Sequence, residues 1–202
     1  MKIIDISREL FACEPYPGDP APKLARAKDM DKGADCNLGV LSMCLHNGTH
    51  IDAPLHFLPW GGDVCSIPED AFIGPCTVVE VVPGIITGAF IERYFPPNGE
   101  RILIKSHGEA FLHESAATAL SYMGYKLVGT DANTIEAEVS GGRTHGALLG
   151  DNIAVLENLD LENVNPGKYF LVAPPLKISG AEASPIRAML ITDYIFWSGD
   201  KN

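Results

Sequence analysis

The sequence predicts an α/β fold, a single domain over residues 1–202 built on a mixed β-sheet. Three observations carry this. Short apolar, β-branched runs such as 75–82, 101–105 and 186–192 have the length and content of buried strands. Helical spacing is confined to brief segments between such runs, so strands alternate with helices but outnumber them, the pattern of an α/β or α+β chain. The 202 residues, 46% hydrophobic and 20% charged, have the balance of one globular domain that buries its core without disulfides. No internal repeat, low-complexity tract or linker interrupts the chain.

In chain order, Ile3–Ile6 reads as a short strand. Cys13–Pro20 is a loop, punctuated by three prolines and a glycine. Within it Tyr16, held between Pro15 and Pro17, is a stiff aromatic that could wall a pocket, the simpler alternative being an ordinary loop tyrosine. Lys23–Ala27 predicts a strand and Asp29–Gly33 a polar loop. Pro59–Asp63 is a turn, where Trp60 either lines a pocket mouth or is buried. Pro75–Val82 is a strand, Thr87 caps a short helix through Tyr94, Pro96–Gly99 turns, and Arg101–Lys105 is a strand. Glu114–Met123 places Ala116, Ala119, Leu120 and Met123 on one helical face and stops at Gly124. Lys126–Gly129 is a strand, followed by the turn Thr130–Ala132, where Asp131 forms the turn or supports a site. Thr144–Leu149 predicts a short helix closed by Gly150, and Ile153–Leu156 a strand that runs straight into Glu157. Tyr169–Ala173 and Ile186–Thr192 are late strands, and Trp197 is expected in the core or at a subunit contact.

The formal net charge of −11 opposes nucleic acid and anionic membranes as partners and suits small molecules and divalent cations. The cysteines are Cys13, Cys36, Cys44, Cys65 and Cys76, an odd number with no Cys-x-x-Cys pair. That disfavours a disulfide framework and predicts a reducing, cytoplasmic setting. Met1–Ile6 is too short and too charged for a signal peptide, and no apolar run approaches the roughly twenty residues of a membrane span.

One stretch concentrates the chemistry. Leu45–Phe57 holds three of the six histidines and an aspartate, at even positions: His46, His50, Asp52 and His56. A strand sends alternate side chains to opposite faces, so an extended segment puts all four on one face, with Leu45, Ile51, Ala53, Leu55 and Phe57 behind. Asn47-Gly48-Thr49 and Pro54 argue against a helix, and the expected strand kinks near Gly48 and ends at Pro54. A hairpin turn at Asn47-Gly48, separating His46 from the rest, is the alternative. Imidazoles converging with a carboxylate suit a borderline divalent metal such as zinc or manganese, against a plain cluster of structural histidines. Cys44, in phase with His46, either approaches the same face or is a small buried thiol.

Three ligands from one stretch leave a metal open to water or substrate, and further ligands must come from elsewhere. His145 follows the flexible lead-in Gly141-Gly142-Arg143-Thr144, and Glu157 ends a core strand, where α/β folds gather their sites. Both are candidates, against a surface histidine and a helix-start glutamate. His107 reads as a loop residue and His113 as a helix-start or surface residue.

The pattern His46-x-Gly48-Thr49-His50-x-Asp52-x-Pro54-x-His56 resembles the signature of the cyclase family, which includes bacterial kynurenine formamidase and isatin hydrolase. Tyr16-Pro17-Gly18-Asp19, Gly129-Thr130-Asp131-Ala132, and His145 with Glu157-Asn158-Leu159 extend the resemblance through most of the chain. It implies a swivelling β/β/α fold, a homodimer or homotetramer, and a site for two divalent metals, zinc first and manganese second. In that pattern His46 and His50 bind the first metal, Asp52 bridges both, His145 binds the second and Glu157 touches both. His56 matches the family's acid/base histidine, and Tyr16 a substrate-contacting aromatic that is often Trp in the formamidases.

The implied activity is metal-dependent hydrolysis of an amide, a formamide or a cyclic amide, with N-formylkynurenine the first candidate. Tyr16 in place of Trp keeps lactones, imides and isatin-like rings open as substrates. The competing class is a metal- or ligand-binding protein of the same fold without turnover. His56 discriminates, because a pure binding site needs no proton carrier beside its ligands.

Overall fold

The computed structural model describes residues 1–97 and 99–193. Trp197 and Asn98, the latter inside the Pro96–Gly99 turn, therefore lie outside the described residues. A nine-stranded mixed sheet organises the chain. Its strands are β1 (Lys2–Asp5), β4 (His50–Asp52), β5 (Ile73–Glu80), β7 (Arg101–Lys105), β9 (Leu127–Thr130), β10 (Ala154–Glu157), β11 (Gly167–Val172), β12 (Ala183–Pro185) and β13 (Met189–Thr192). Two small sheets complete the count, β2 (Lys23–Lys28) with β3 (Leu38–Ser42), and β6 (Gly84–Ile86) with β8 (Ala110–Leu112). The helices are α1 (Gly88–Tyr94), α2 (Glu114–Tyr122) and α3 (Arg143–Gly150).

The order across the large sheet is β1-β13-β11-β5-β7-β9-β10-β4-β12. Its centre, β5-β7-β9-β10, is parallel, and the flanks are antiparallel. Parallel strands are covered on both faces, which explains why all of β7 is buried: Ile102, Leu103 and Ile104 are apolar, and the charged ends Arg101 and Lys105 donate to backbone carbonyls. One face packs on the helices through Ile102, Ile104, Val128 and Val155 against Ala116, Leu120, Leu148 and Leu149. The other face holds Leu103, Leu127, Leu156, Leu171 and Leu190, together with Ile51 and Ala53. The result is the curled mixed sheet with a helical layer that the α/β expectation describes.

Local chemistry explains the helix ends. The Thr87 hydroxyl accepts from the Phe90 N–H at the start of α1. His113 caps α2, its Nδ1 accepting from the Ser115 N–H, so it is the helix-start residue expected. Gly124 ends α2 at φ +80°, a conformation that costs other residues a Cβ clash.

Several expectations need correction. β6, β8 and β12 were absent from the predicted strands, because three-residue strands leave too little alternation to read. Met30–Lys32, inside the expected polar loop, is a 3-10 turn capped by Asp29 and closed by Gly33. Trp60 is 98% exposed, neither buried nor at the pocket below. Asp131 is buried and accepts N–H donors from Ser106, His107 and Gly108, so it anchors the turn after β7 rather than a site. His107, in that turn, has an exposed side chain, as expected of a loop residue. Among the described residues all five cysteines are free, and no helix is long and apolar enough to cross a membrane.

Candidate metal centre

The Leu45–Phe57 stretch is not one strand. β4 keeps only His50–Asp52. Cys44–Asn47 is a turn closed by Asn47 N–H to Cys44 O, with the Asn47 side chain accepting from the Cys44 N–H. Gly48 then reverses the chain at φ +68°. Past Ala53 the chain enters a 3-10 turn, Pro54–His56. The separation of His46 by a turn thus holds, but not as a hairpin. The alternating back face also ends early: Ile51 and Ala53 are fully buried, whereas Phe57 is exposed and stacks on the His145 ring at 4.7 Å.

Even so, the structure brings the candidate residues together. β4 pairs antiparallel with β10, setting His50 opposite Glu157 and Asp52 opposite Val155. Val155 belongs to the helix-facing core, so His50, Asp52 and Glu157 point to the side where α3 carries His145. The turn returns His46 to Asp52, with Nδ1 3.0 Å from Oδ1. His50 Nε2 lies 3.5 Å from Asp52 Oδ1 and 3.4 Å from Glu157 Oε2. His145 Nε2 lies 3.0 Å from Glu157 Oε1 and 3.7 Å from Asp52 Oδ2.

These atoms form two overlapping donor groups, His46–His50–Asp52 and Asp52–His145–Glu157, each with its ligand atoms within 4.8 Å of one another. Asp52 belongs to both, one oxygen toward each side. His50 Nε2, both Asp52 oxygens and His145 Nδ1 are buried with no hydrogen-bond partner among the described residues. Buried polar atoms left bare are costly, and cations held at Asp52 would satisfy its two oxygens and His50 Nε2. The donor set, imidazole nitrogens with carboxylates, fits a borderline divalent metal.

Electrostatics agree. Burial opposes charge on His50, but Glu157 and Asp52 outweigh it and raise its pKa to about 9. His145 is likewise penalised by burial yet raised to about 10 by Glu136, Glu157 and Asp52. Burial would raise Glu157, but the hydrogen bond from His145 and the charges of His145 and His50 hold it far below the usual carboxylate range. The cage therefore retains positive charge even in protons. His56 differs: burial, only partly offset by Asp52, lowers its pKa. Its ring lies 4.3 Å from that of His46, in neither donor group.

The centre opens into a cavity of about 400 Å³. Tyr16, Glu14, Asp19, Cys44, His56 and Phe57 are among its walls. Tyr16, half exposed, stands at the outer side, so the loop tyrosine does line the pocket. Cys44 reaches the wall with Sγ 3.4 Å from Asp19 Oδ2 and is not a donor to either group. A second cavity of about 260 Å³, between 54–68 and 152–154, is lined by no titratable side chain.

Two residues escaped the sequence reading. Glu182 Oε1 lies 3.6 Å from His46 Nε2, on the outer side of that ring. Glu136 is buried beside His145. Each sits in a loop without periodicity, and only the fold makes it a neighbour.

The Cyclase family model matches residues 4–137. A kynurenine formamidase from Sphingopyxis alaskensis is 37% identical, the match covering 94% of this chain and 97% of that protein. One from Salinibacter ruber is 35% identical with the same coverage. A protein from Bacillus stearothermophilus described as a predicted metal-dependent hydrolase superposes with a TM-score of 0.80 at 31% identity, over 94% of this chain and 97% of that one. Isatin hydrolase A from Labrenzia aggregata shares the fold, with a TM-score of 0.81 at 22% identity, over 94% of this chain and 93% of that one.

Proposed function

The chain belongs to the cyclase family, and from that membership we propose that it is a metal-dependent hydrolase of carbon–nitrogen bonds whose first substrate is N-formylkynurenine. The observation that carries the chemistry is the pair of donor groups joined at Asp52, open to a cavity with His56 on its wall. His46, His50 and Asp52 would hold one divalent ion, and Asp52, His145 and Glu157 a second. Zinc is the first choice and manganese the second, from the nitrogen and oxygen donors. Bound there, such an ion supplies Lewis acidity and brings the pKa of its water to about 7.

The protein's own residues do the rest. Water adds to the formyl carbon, the carbon–nitrogen bond breaks, and the products are formate and a free arylamine. His56, held neutral by burial, accepts the water proton and returns it to the leaving nitrogen. Tyr16 and Phe57 offer aromatic faces to an aryl ring at the pocket wall. Five unpaired cysteines suit a reducing cytoplasm.

A second copy of the chain is the expected partner. The β2–β3 ribbon is exposed at every residue and shows Leu24, Leu38, Val40 and Leu41 to solvent. Two strands alone are marginal in water. The ribbon also carries Lys23, Arg26 and Lys28 on a chain of net charge −11, so the acidic surface of another copy complements it.

The activity test follows N-formylkynurenine loss by absorbance after chelation and after zinc or manganese return. Hydrolysis that disappears and recovers supports the proposal. Stoichiometric metal with no turnover of formamide, lactone or imide would establish the binding-protein alternative.

A further inference from the structure

Glu136 holds an unusual position for a residue outside both donor groups. It is 7% exposed, on the segment that bridges to Leu112 of β8. Its carboxylate accepts the N–H groups of Gly142, Thr144 and His145, the first turn of α3. The same Oε2 lies 3.5 Å from His145 Nδ1, the ring nitrogen facing away from Asp52. Its neighbour Ile135 donates its N–H to Glu157 Oε1 at 2.7 Å. One short segment thus backs both His145 and Glu157.

The three histidine rings share a design. His50 keeps Nε2 inward because Nδ1 faces the Gly48 carbonyl at 2.9 Å. His46 keeps Nδ1 inward, with Glu182 behind Nε2. An imidazole presents a bare nitrogen to a ligand only if the other nitrogen holds the proton. His145 Nδ1 is buried without a hydrogen-bond partner among the described residues, and the carboxylate within reach of its proton is Glu136, 3.5 Å away and oriented by three backbone N–H groups.

We propose that Glu136 is the positioning residue of the Asp52–His145–Glu157 group, holding the Nδ1 proton of His145 so that Nε2 faces the cation. This rests on the metal-centre reading above. A carboxylate is required because it accepts from the helix and the ring together. A Gln at this position offers one acceptor oxygen and an NH₂, which can donate to Nδ1 and favour the wrong tautomer.

The test is calorimetric titration of zinc into metal-free protein, wild type against Glu136→Gln. Wild type should show two binding steps. In the variant one step should weaken about 10- to 100-fold while the other stays, and Glu136→Asp should restore part of the loss. In zinc-loaded wild type, nitrogen-15 spectra should show His145 protonated at Nδ1 and metal-bound at Nε2. A helix-capping role alone predicts a lower melting temperature with both zinc steps intact, and that result would overturn the inference. So would zinc at Nδ1 of His145 in the wild type, a readout that holds if Glu136→Gln fails to fold. A wild type that takes up no zinc removes the metal-centre reading, and this inference with it.

Discussion

His50 and His56 lie six residues apart in one stretch and have opposite electrostatics. His50 sits between two carboxylates and tends to be charged, whereas burial keeps His56 neutral. That difference separates a ligand from a proton carrier. His56→Ala should therefore keep its metal and lose about 10²- to 10⁴-fold in kcat, the range for a general acid–base group. Unchanged kcat in a metal-replete variant would remove His56 from the chemistry. His50→Ala should lose metal, measured by elemental analysis, and full occupancy would exclude it from the ligand set.

At the scale of elements, the β2–β3 ribbon makes a prediction that no single residue makes. A Leu24→Glu, Leu41→Glu double variant puts charge on its apolar surface without replacing a residue of the metal groups, which lie on the 44–47 turn, β4, β10 and α3. Light scattering should give a dimer or larger for the wild type and a monomer for the variant. A wild type that stays monomeric as concentration rises would leave the ribbon without a second copy.

For the whole molecule, the pH dependence of stability follows from the cage. In metal-free protein His50 and His145 are raised from 6.5 to about 9 and about 10. Raised histidines stabilise fully below pH 6.5, and that contribution is lost as pH climbs through about 9 to 10. Glu157 and Glu136 are lowered from 4.5, Glu136 to about 2, as hydrogen bonds and charge from His145 outweigh burial. Their contribution is present above pH 4.5 and is lost as pH falls toward about 2. The metal-free melting temperature should therefore peak near about pH 5 to 6 and decline on the alkaline side. A bound cation replaces those protons, so the gap between loaded and metal-free protein should widen from pH 6 to pH 9. A gap independent of pH would show that the metal does not displace histidine protons.

The local sequence determined the caps of α1 and α2, the buried central strands and four of the centre's polar residues, because capping, apolar runs and phase depend on near neighbours. It overextended the strand through His46–His56, where a turn and a 3-10 helix interrupt the alternation on either side of three β4 residues. His145 and Glu157 were legible as candidates from their local sequence, with their metal roles implied by the resemblance, while Glu136 and Glu182 were not. Only tertiary structure decided their partnership. Pairing of β4 with β10 brings residues about a hundred positions apart face to face, and α3 docks across them. Metal chemistry depends on where side chains converge, and that convergence is set by strand register and helix packing.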